Sequence, residues 1–132
     1  MVGDQASTSA GGQAPLVMTL PWPPTVNTYY RHVVIGRAPR TLISEAGRRY
    51  REAVKAQVAG QVENALQGDL EVFVEAWFPD RRRRDLDNLL KSLLDSLTHA
   101  GVWQDDSQII DLRIRKAPLV GGMVKVEIKE VT

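Results

Sequence analysis

Residues 86–100 have the sequence LDNLLKSLLDSLTHA, which contains the most regular hydrophobic pattern in the chain. Apolar residues recur there at intervals of three and four, which places them on one side of an α-helix because a helix turns about 100° per residue. Gly101 follows, and glycine is favoured just after the last helical residue. We therefore predict a helix over residues 86–100 whose buried side consists of Leu86, Leu89, Leu90, Leu93, Leu94, Leu97 and Ala100.

Periodic segments elsewhere in the chain predict four strands and a second helix. Ser44 is a favourable N-cap, and Tyr50 and Val54 begin an apolar stripe with a spacing of four residues, which predicts a helix over residues 46–66. Residues 25–40 contain a glycine and follow no clear period, so we expect an irregular loop there. Strands are predicted where apolar and polar residues alternate or a short apolar run occurs, at residues 16–20, 70–78, 108–116 and 123–131.

The order of these elements, β-α-β-α-β-β, predicts an α+β fold. We expect a small mixed sheet of about four strands packed against two main helices, with the last two strands forming a hairpin through Gly121 and Gly122. Residues 1–14 are small and polar, so they predict a disordered tail in front of a single domain over residues 15–132.

The composition excludes several classes of protein. The chain has no cysteine, so it lacks a disulfide framework, a thiolate zinc site and a cysteine nucleophile. Its two histidines, His32 and His99, stand in no ligand spacing, which argues against a histidine metal site. The sequence has neither an apolar run that could span a bilayer nor a secretory signal, so we expect no membrane partner and a cytoplasmic location.

Charge is distributed unevenly, although the net charge is only +1. Residues 31–55 carry seven basic and two acidic side chains, and residues 81–84 are four consecutive arginines. Such a run is typical of a solvated surface or of a general nucleic-acid patch. Its position makes it more specific, because aspartates follow it directly at positions 85, 87, 95, 105, 106 and 111.

The start of the predicted leucine-rich helix gathers side chains that could do chemistry. Asp85 stands at its entrance, and Asp87 and Lys91 share its polar side. The turn that holds Asp105 and Asp106 could fold back beside them. Carboxylates in one place repel each other unless a cation joins them, and oxygen ligands suit Mg²⁺ or Mn²⁺. Beside arginines that hold a DNA backbone, such a site predicts metal-dependent hydrolysis of a phosphodiester.

Each of these residues also has a purely structural interpretation. Asp85 could be only an N-cap, Lys91 could pair with neighbouring carboxylates, and the acidic turn could simply be solvated. Tyr29 and Tyr30 could pack in the core or stack on unpaired bases. The functional interpretation therefore depends on the joint occurrence of the acids, the lysine and the arginines.

Two motifs resemble those of the RusA-type Holliday junction resolvases. The first is LPWPPTVNTYYRH at residues 20–32. The second is PDRRRRDLDNL at residues 79–89, continued by Lys91 and by WQDD at residues 103–106. The resemblance covers roughly residues 16–130, and the second motif is the more specific, because it combines a charge run, two spaced acids and a later acidic pair.

The resemblance implies a crossover junction endodeoxyribonuclease that needs Mg²⁺, with Mn²⁺ able to substitute, and that acts as a homodimer on four-way DNA junctions in recombination and repair. The family is common in phages and prophages, so a phage origin and action on the nucleoid are expected. The implied essential acids, which are also the implied metal ligands, are Asp85, Asp87 and Asp106, and the implied essential lysine is Lys91. The residues expected to contact DNA are Arg81, Arg82, Arg83, Arg84, Arg31 and Asn88.

Symmetry also favours a dimer, because a four-way junction has two-fold symmetry and each chain has one acidic cluster. Three alternatives remain open at this point: a flap- or fork-cutting nuclease of looser selectivity, a catalytically idle junction-binding module, and a structural domain whose arginines bind an acidic protein. Dependence on Mg²⁺ separates the nucleases from the others, and the comparison of a junction with linear duplex separates the two nucleases.

Overall fold

The computed structural model describes residues 14–131, so the predicted tail of residues 1–14 lies almost wholly outside the described part of the chain and stays a prediction. Within this part, two 3₁₀ turns, Leu86–Leu89 and Asp106–Gln108, accompany the regular elements. The strands and helices are β1 (Leu16–Pro21), α1 (Val26–Tyr29), β2 (Tyr30–Ile35), β3 (Ala38–Ile43), α2 (Glu45–Val58), β4 (Asp69–Trp77), α3 (Leu90–His99), β5 (Ile109–Lys116) and β6 (Met123–Val131).

Four strands form one mixed sheet in the spatial order β1-β6-β4-β5. β4 pairs in parallel with β5 and antiparallel with β6, which in turn pairs antiparallel with β1. On β4, Leu70, Val72, Val74 and Ala76 are buried in the same core as residues of α2 and α3, while the alternate side chains form a partly exposed outer face. The predicted α+β fold, with a mixed sheet of about four strands and two main helices, is confirmed.

The prediction that the last two strands form a hairpin is wrong, because β4 lies between them. β4, the leucine-rich helix and β5 make a β-α-β crossover, and such a unit pairs its two strands in parallel. β6 therefore takes the other edge of β4. The connection of residues 117–122 passes the end of β4, where Gly121 N donates a hydrogen bond to Phe78 O at 2.8 Å.

The predicted loop over residues 25–40 is also corrected, since it consists of α1 and a hairpin of β2 and β3. Gly36 and Arg37 form the turn, and Gly36 has a φ of +65°, which glycine adopts without strain. Val34 and Ile35 are 70% and 58% exposed, and the two strands form a separate sheet. The hairpin left no period in the sequence because it buries no continuous face.

Both main helices are shorter than their apolar stripes. α2 ends at Val58, short of its predicted end, and Gly60 behind it has a φ of +87°. Val62 and Leu66 nevertheless pack against the core from the connection to β4. The leucine-rich helix begins with the 3₁₀ turn, and α3 follows from Leu90. None of the helices in residues 14–131 is both long and apolar enough to cross a membrane.

The start of α2 packs closely against α1. Ser44 caps α2 as predicted, because its Oγ accepts a hydrogen bond from Gly47 N at 2.9 Å. Ser44 N also donates to Tyr29 O at 2.9 Å. Gly47 is buried, and a methyl group there would overlap the carbonyl oxygen of Tyr29 and the side chain of Ile43. Ser44 and Gly47 thus fix the chain where α1 passes into β2.

The substitution Gly47→Ala should lower the free energy of unfolding by about 1–3 kcal/mol, because the added methyl group forces the two segments apart. At an ordinary helix position the same substitution would raise the free energy of unfolding, since alanine is a better helix former than glycine by about 1 kcal/mol. Urea denaturation followed by circular dichroism measures the difference. The control is Ala56→Gly at an exposed position of α2, which should lose about 1 kcal/mol. An unchanged or higher stability of Gly47→Ala would contradict the close packing.

Candidate active site

The first acidic segment is presented to solvent at the start of the leucine-rich helix. Asp85 occupies the N-cap position of the 3₁₀ turn, yet its side chain makes no capping hydrogen bond in the described structure. Asp87, Asn88 and Lys91 follow, and the side chains of all four residues are exposed. The interpretation of Asp85 as only a helix cap is therefore wrong, and its carboxylate is available to another partner.

Lys91 faces Tyr30, the first residue of β2. Its Nζ lies 6.0 Å from the centroid of the Tyr30 ring, at the outer limit of a cation–π contact. Within residues 14–131, Lys91 forms no ion pair with a carboxylate, so the structure does not support the interpretation that it is simply paired with a neighbour. Its ammonium group is exposed and available to an external anion.

The second acidic segment separates two adjacent aspartates into different roles. Asp105 is the N-cap of the short 3₁₀ turn, where its side chain and that of Gln108 form a reciprocal capping box. Asp105 also accepts a hydrogen bond from the Ser107 hydroxyl. Asp106 is exposed, and its carboxylate has no hydrogen bond from the side chains or backbone of the described residues. Asp105 therefore holds the turn, and Asp106 remains available.

Tyr30 connects this segment with Lys91. Burial raises the pKa of the Tyr30 hydroxyl, and the charges of Asp95 and Asp106 raise it further, against the lowering effect of Arg51. Asp106 therefore lies within electrostatic range of the ring that Lys91 faces. The turn also contacts α3, and its closeness to Asp85 and Asp87 stays a prediction.

The carboxylates that have no partner are the candidates for a metal ion shared with a substrate. In the described range, no three acidic or histidine side chains lie close enough together to enclose an ion by themselves. Mg²⁺ usually needs only one or two carboxylates, because waters and substrate phosphates complete its shell. Between residues 80 and 111, four aspartates are bound by neighbouring side chains or backbone, and the three without such a partner among the described residues are Asp85, Asp87 and Asp106.

The arginine run is organised by Asp80, which sequence reasoning did not single out. Both terminal nitrogens of Arg84 donate to the Asp80 carboxylate, and Arg82 N donates to Asp80 Oδ1 at 3.0 Å. The hydrogen bonds from Arg84 and from the Arg82 backbone hold the pKa of Asp80 well below its usual range. Arg81 and Arg83 are exposed and pair with no acidic residue of the part described. Residues 80–84 are not helical, so helical spacing gave no clue to this pair.

The β2–β3 hairpin adds a second basic surface. Its residues 30–43 include three arginines and no acid, and the exposed members of this set are Arg31, Arg37 and Arg40. Because Tyr30 begins the hairpin and faces Lys91, the hairpin leaves the body of the protein beside the available acids. Arg31 therefore lies on an arm next to the site.

A hydrogen-bonded network beneath the site joins three helices. The Tyr29 hydroxyl donates to Asp95 Oδ2 at 2.5 Å and accepts from Arg51 Nε at 2.7 Å and from Ser96 Oγ at 3.1 Å. Arg51 also forms an ion pair with Asp95, with a separation of 2.6 Å. Tyr29 is fully buried, so it packs in the core rather than being available to stack on bases.

Two serines of α3 complete the interior and were missed from the sequence. Ser92 and Ser96 are fully buried among the leucines. Ser92 Oγ donates to Pro24 O at 2.5 Å, and Ser96 joins the Tyr29 network. Serine is usually exposed, and the sequence offers no sign of these partners because both are distant along the chain.

Comparison with known proteins identifies the family. The model described as Endodeoxyribonuclease RusA matches residues 21–129, which contain both acidic segments and the arginine run. The chain belongs to the RusA endodeoxyribonuclease family. It is 44% identical to the crossover junction endodeoxyribonuclease rusA of Enterobacteria phage 82 over 116 residues, 86% of this chain and 93% of that protein. It is 43% and 42% identical, over the same shares, to proteins named crossover junction endodeoxyribonuclease RusA from Shigella sonnei (strain Ss046) and Escherichia coli (strain K12).

The predicted RusA-type resemblance is thus confirmed, together with the general class of endodeoxyribonuclease. A phage protein among the relatives fits the expected link to phages. The roles of Asp85, Asp87, Asp106 and Lys91 stay predictions, as does contact of the arginines and Asn88 with DNA.

The substitution Asp95→Asn should cost about 1–3 kcal/mol of stability at pH 7, because an amide replaces the charged acceptor of the Arg51 and Tyr29 hydrogen bonds. Burial tends to raise the pKa of Asp95, but these hydrogen bonds outweigh burial and hold it below the ordinary value of 3.8. The stabilisation is therefore present above that pH and is lost as the pH falls toward the lower folded pKa.

Urea denaturation of both proteins at pH 7 and pH 3 measures this effect, and the difference between wild type and variant should shrink at pH 3. The matched control is Asp111→Asn, which breaks the more exposed pair with Arg113 and should cost less than about 1 kcal/mol. Equal costs for the two variants would mean that the Tyr29 network contributes no more than a surface pair.

Proposed function

We propose that the chain is a metal-dependent endonuclease that resolves four-way DNA junctions in recombination and repair. The proposal is carried by one observation: Asp85, Asp87 and Asp106 are exposed and have no side-chain partner in the described structure. Lys91 follows Asp87 by four residues, and the arginine run ends directly before Asp85. Family membership and the names of the relatives, which are crossover junction endodeoxyribonucleases, support the class of substrate.

The cofactor that these residues suit is Mg²⁺, with Mn²⁺ as a substitute. Asp85, Asp87 and Asp106 would hold it together with oxygens of the DNA. When bound, the ion would supply Lewis-acid activation of the scissile phosphodiester. The proposal includes no other small-molecule cofactor.

The chain itself contributes positive charge and orientation. The Lys91 ammonium group, which has no carboxylate partner in residues 14–131, would stabilise negative charge that develops on the phosphate. Arg81, Arg82 and Arg83 would hold the DNA backbone, while Arg84 is oriented by Asp80. The Asn88 amide is exposed at the same helix start and would contact the DNA next to the cut.

A homodimer accounts for paired cuts. Residues 14–131 contain one set of available acids, whereas a four-way junction must be cut twice at positions related by two-fold symmetry. Two copies related by the same symmetry would supply one cut each. Their shared DNA-binding face would include the exposed arginines of the hairpin and of the run at residues 81–84.

The substitutions Asp87→Asn and Asp106→Asn should each slow cleavage of a synthetic four-way junction in Mg²⁺ by about a hundredfold or more, because each removes a ligand charge. Junction binding should persist or tighten, since a negative charge near the phosphates is lost. Gel assays of cleavage, with EDTA as the metal-free condition, and binding titrations measure both effects. Wild-type protein should leave a linear duplex of the same sequence uncut.

The matched control is Asp105→Asn, because asparagine caps a helix about as well as aspartate and should preserve both the turn and the cutting. Loss of cutting in Asp105→Asn with full activity in Asp106→Asn would show that the wrong acid was chosen. Equal cutting of junction and duplex by wild type would indicate a nuclease of looser selectivity. Junction binding without any cutting in Mg²⁺ would indicate an idle binding module.

Replacing Arg81 and Arg82 together by alanine should weaken junction binding and make it less sensitive to salt. Each lost phosphate contact should reduce the slope of log K against log salt by about 1. Fluorescence anisotropy at several salt concentrations measures the slope. The control replaces Arg113 and Arg115 on the outer face of the sheet, and its slope should match that of wild type. An unchanged slope for the first variant would remove those arginines from the DNA-binding surface.

A further inference from the structure

A cleft of about 540 Å³ opens beside the available acids, between the PWPP segment of residues 21–24 and the arginine run. Its lining includes Trp22, Phe78, Arg83 and Lys116. This volume lies within the range of about 300–1,000 Å³ that sites for small organic groups occupy. The proposed function uses the Asp85 side of this cleft but neither its PWPP wall nor Lys116.

The cleft combines an aromatic wall with positive charge. The rings of Trp22 and Phe78 have their centroids 4.7 Å apart, so buried Phe78 packs against the partly exposed indole. Lys116 reaches the same place from the end of β5, with its Nζ 5.0 Å from the Phe78 ring centroid. Arg83 adds a second cation on the rim. A flat apolar surface flanked by cations suits a nucleobase with its phosphate.

The position of the cleft relates it to the cut. Asp85, one of the proposed metal ligands, and Asn88 both line it. A group held in the cleft would therefore be an immediate neighbour of the reacting phosphate. The Asn88 amide has both a donor and an acceptor, so it could hydrogen-bond to the edge of a base.

We propose that this cleft holds one unstacked nucleotide of the cut strand, with its base against Trp22 and its phosphate between Arg83 and Lys116. The inference rests on the proposed function. It adds that the protein selects a junction through an unstacked nucleotide at the branch point. A base in the cleft must leave its helical stack, which a continuous duplex resists. At a branch point the stack is already interrupted, so a junction supplies the nucleotide more easily than a linear duplex does.

Photocrosslinking tests the contact directly. A series of four-way junctions carries a single 5-iodouracil at one of the nucleotides next to the branch, and each is irradiated with wild-type protein in EDTA so that the DNA stays intact. Mass spectrometry of the linked peptide should identify Trp22 for at least one position, and linear duplex should give no link to Trp22. Links only to other residues would overturn the proposal.

Affinity measurements with Trp22 variants provide a second test. Trp22→Leu should bind the junction about 5- to 150-fold more weakly, the range expected for loss of one stacked base, with a smaller change for duplex. Trp22→Phe should retain most of the affinity because it keeps an aromatic face. The matched control is Trp77→Leu, a half-buried tryptophan outside the cleft, which should bind like wild type. Unchanged junction affinity in folded Trp22→Leu would overturn the proposal.

Lys116 offers a variant that keeps both aromatic rings of the cleft. Lys116→Gln should weaken junction binding and lower its salt slope by about 1, whereas Lys125→Gln, an exposed lysine outside the cleft, should leave both unchanged. If wild type cuts junctions in Mg²⁺ while the Trp22 and Lys116 variants bind normally, only the cleft proposal fails. If wild type neither cuts junctions nor prefers them over duplex, the proposed function fails as well.

Discussion

The hydroxyl group of buried Tyr29 is the point at which three parts of the chain are joined. It bonds to Asp95 and Ser96 on α3 and to Arg51 on α2, while Tyr29 itself ends α1. Buried polar groups are costly unless their hydrogen bonds are made, so this network favours one relative placement of the helices. Two elements of the site depend on that placement: the hairpin follows directly from α1, and Lys91 lies one helical turn before Asp95.

The acids of the chain therefore divide by their partners. Asp95 joins α3 to α1 and α2 through Tyr29 and Arg51. Asp105 stabilises the 3₁₀ turn that it caps. Asp87 and Asp106 have no such partner in the described residues, although Asp87 precedes Lys91 by four residues and Asp106 is next to a capping residue. A carboxylate without a partner contributes little to folding, so Asp87 and Asp106 could serve a ligand without loss of stability.

Periodic burial explains which elements could be predicted from the sequence. The leucine spacing of the 86–100 helix and the alternation of β4 are imposed by a core on one side, and both predictions were confirmed. The β2–β3 hairpin buries no continuous face, so no period marked it, and the pairing of β5 and β6 depends on the edges that β4 offers in the assembled sheet. At the site, α-helical spacing predicted that Asp87 and Lys91 share one side, but Asp87 lies in the 3₁₀ turn before the helix. Two adjacent aspartates, Asp105 and Asp106, cannot be told apart from sequence until one of them forms a cap.

Asp80 explains how a carboxylate can stay unpaired beside four arginines. Arg84 is adjacent to Asp85 in sequence, and an ion pair between them would neutralise both charges. Instead Asp80 receives both terminal nitrogens of Arg84, and such a bidentate pair is stronger than a single contact. Arg84 therefore does not pair with Asp85, and Arg81 and Arg83 have no acidic partner among the described residues. DNA held by those arginines would bring its own negative charge toward the acids, a repulsion that a divalent cation offsets. In the proposed site, metal binding and DNA binding are therefore coupled, because each supplies the charge that the other requires.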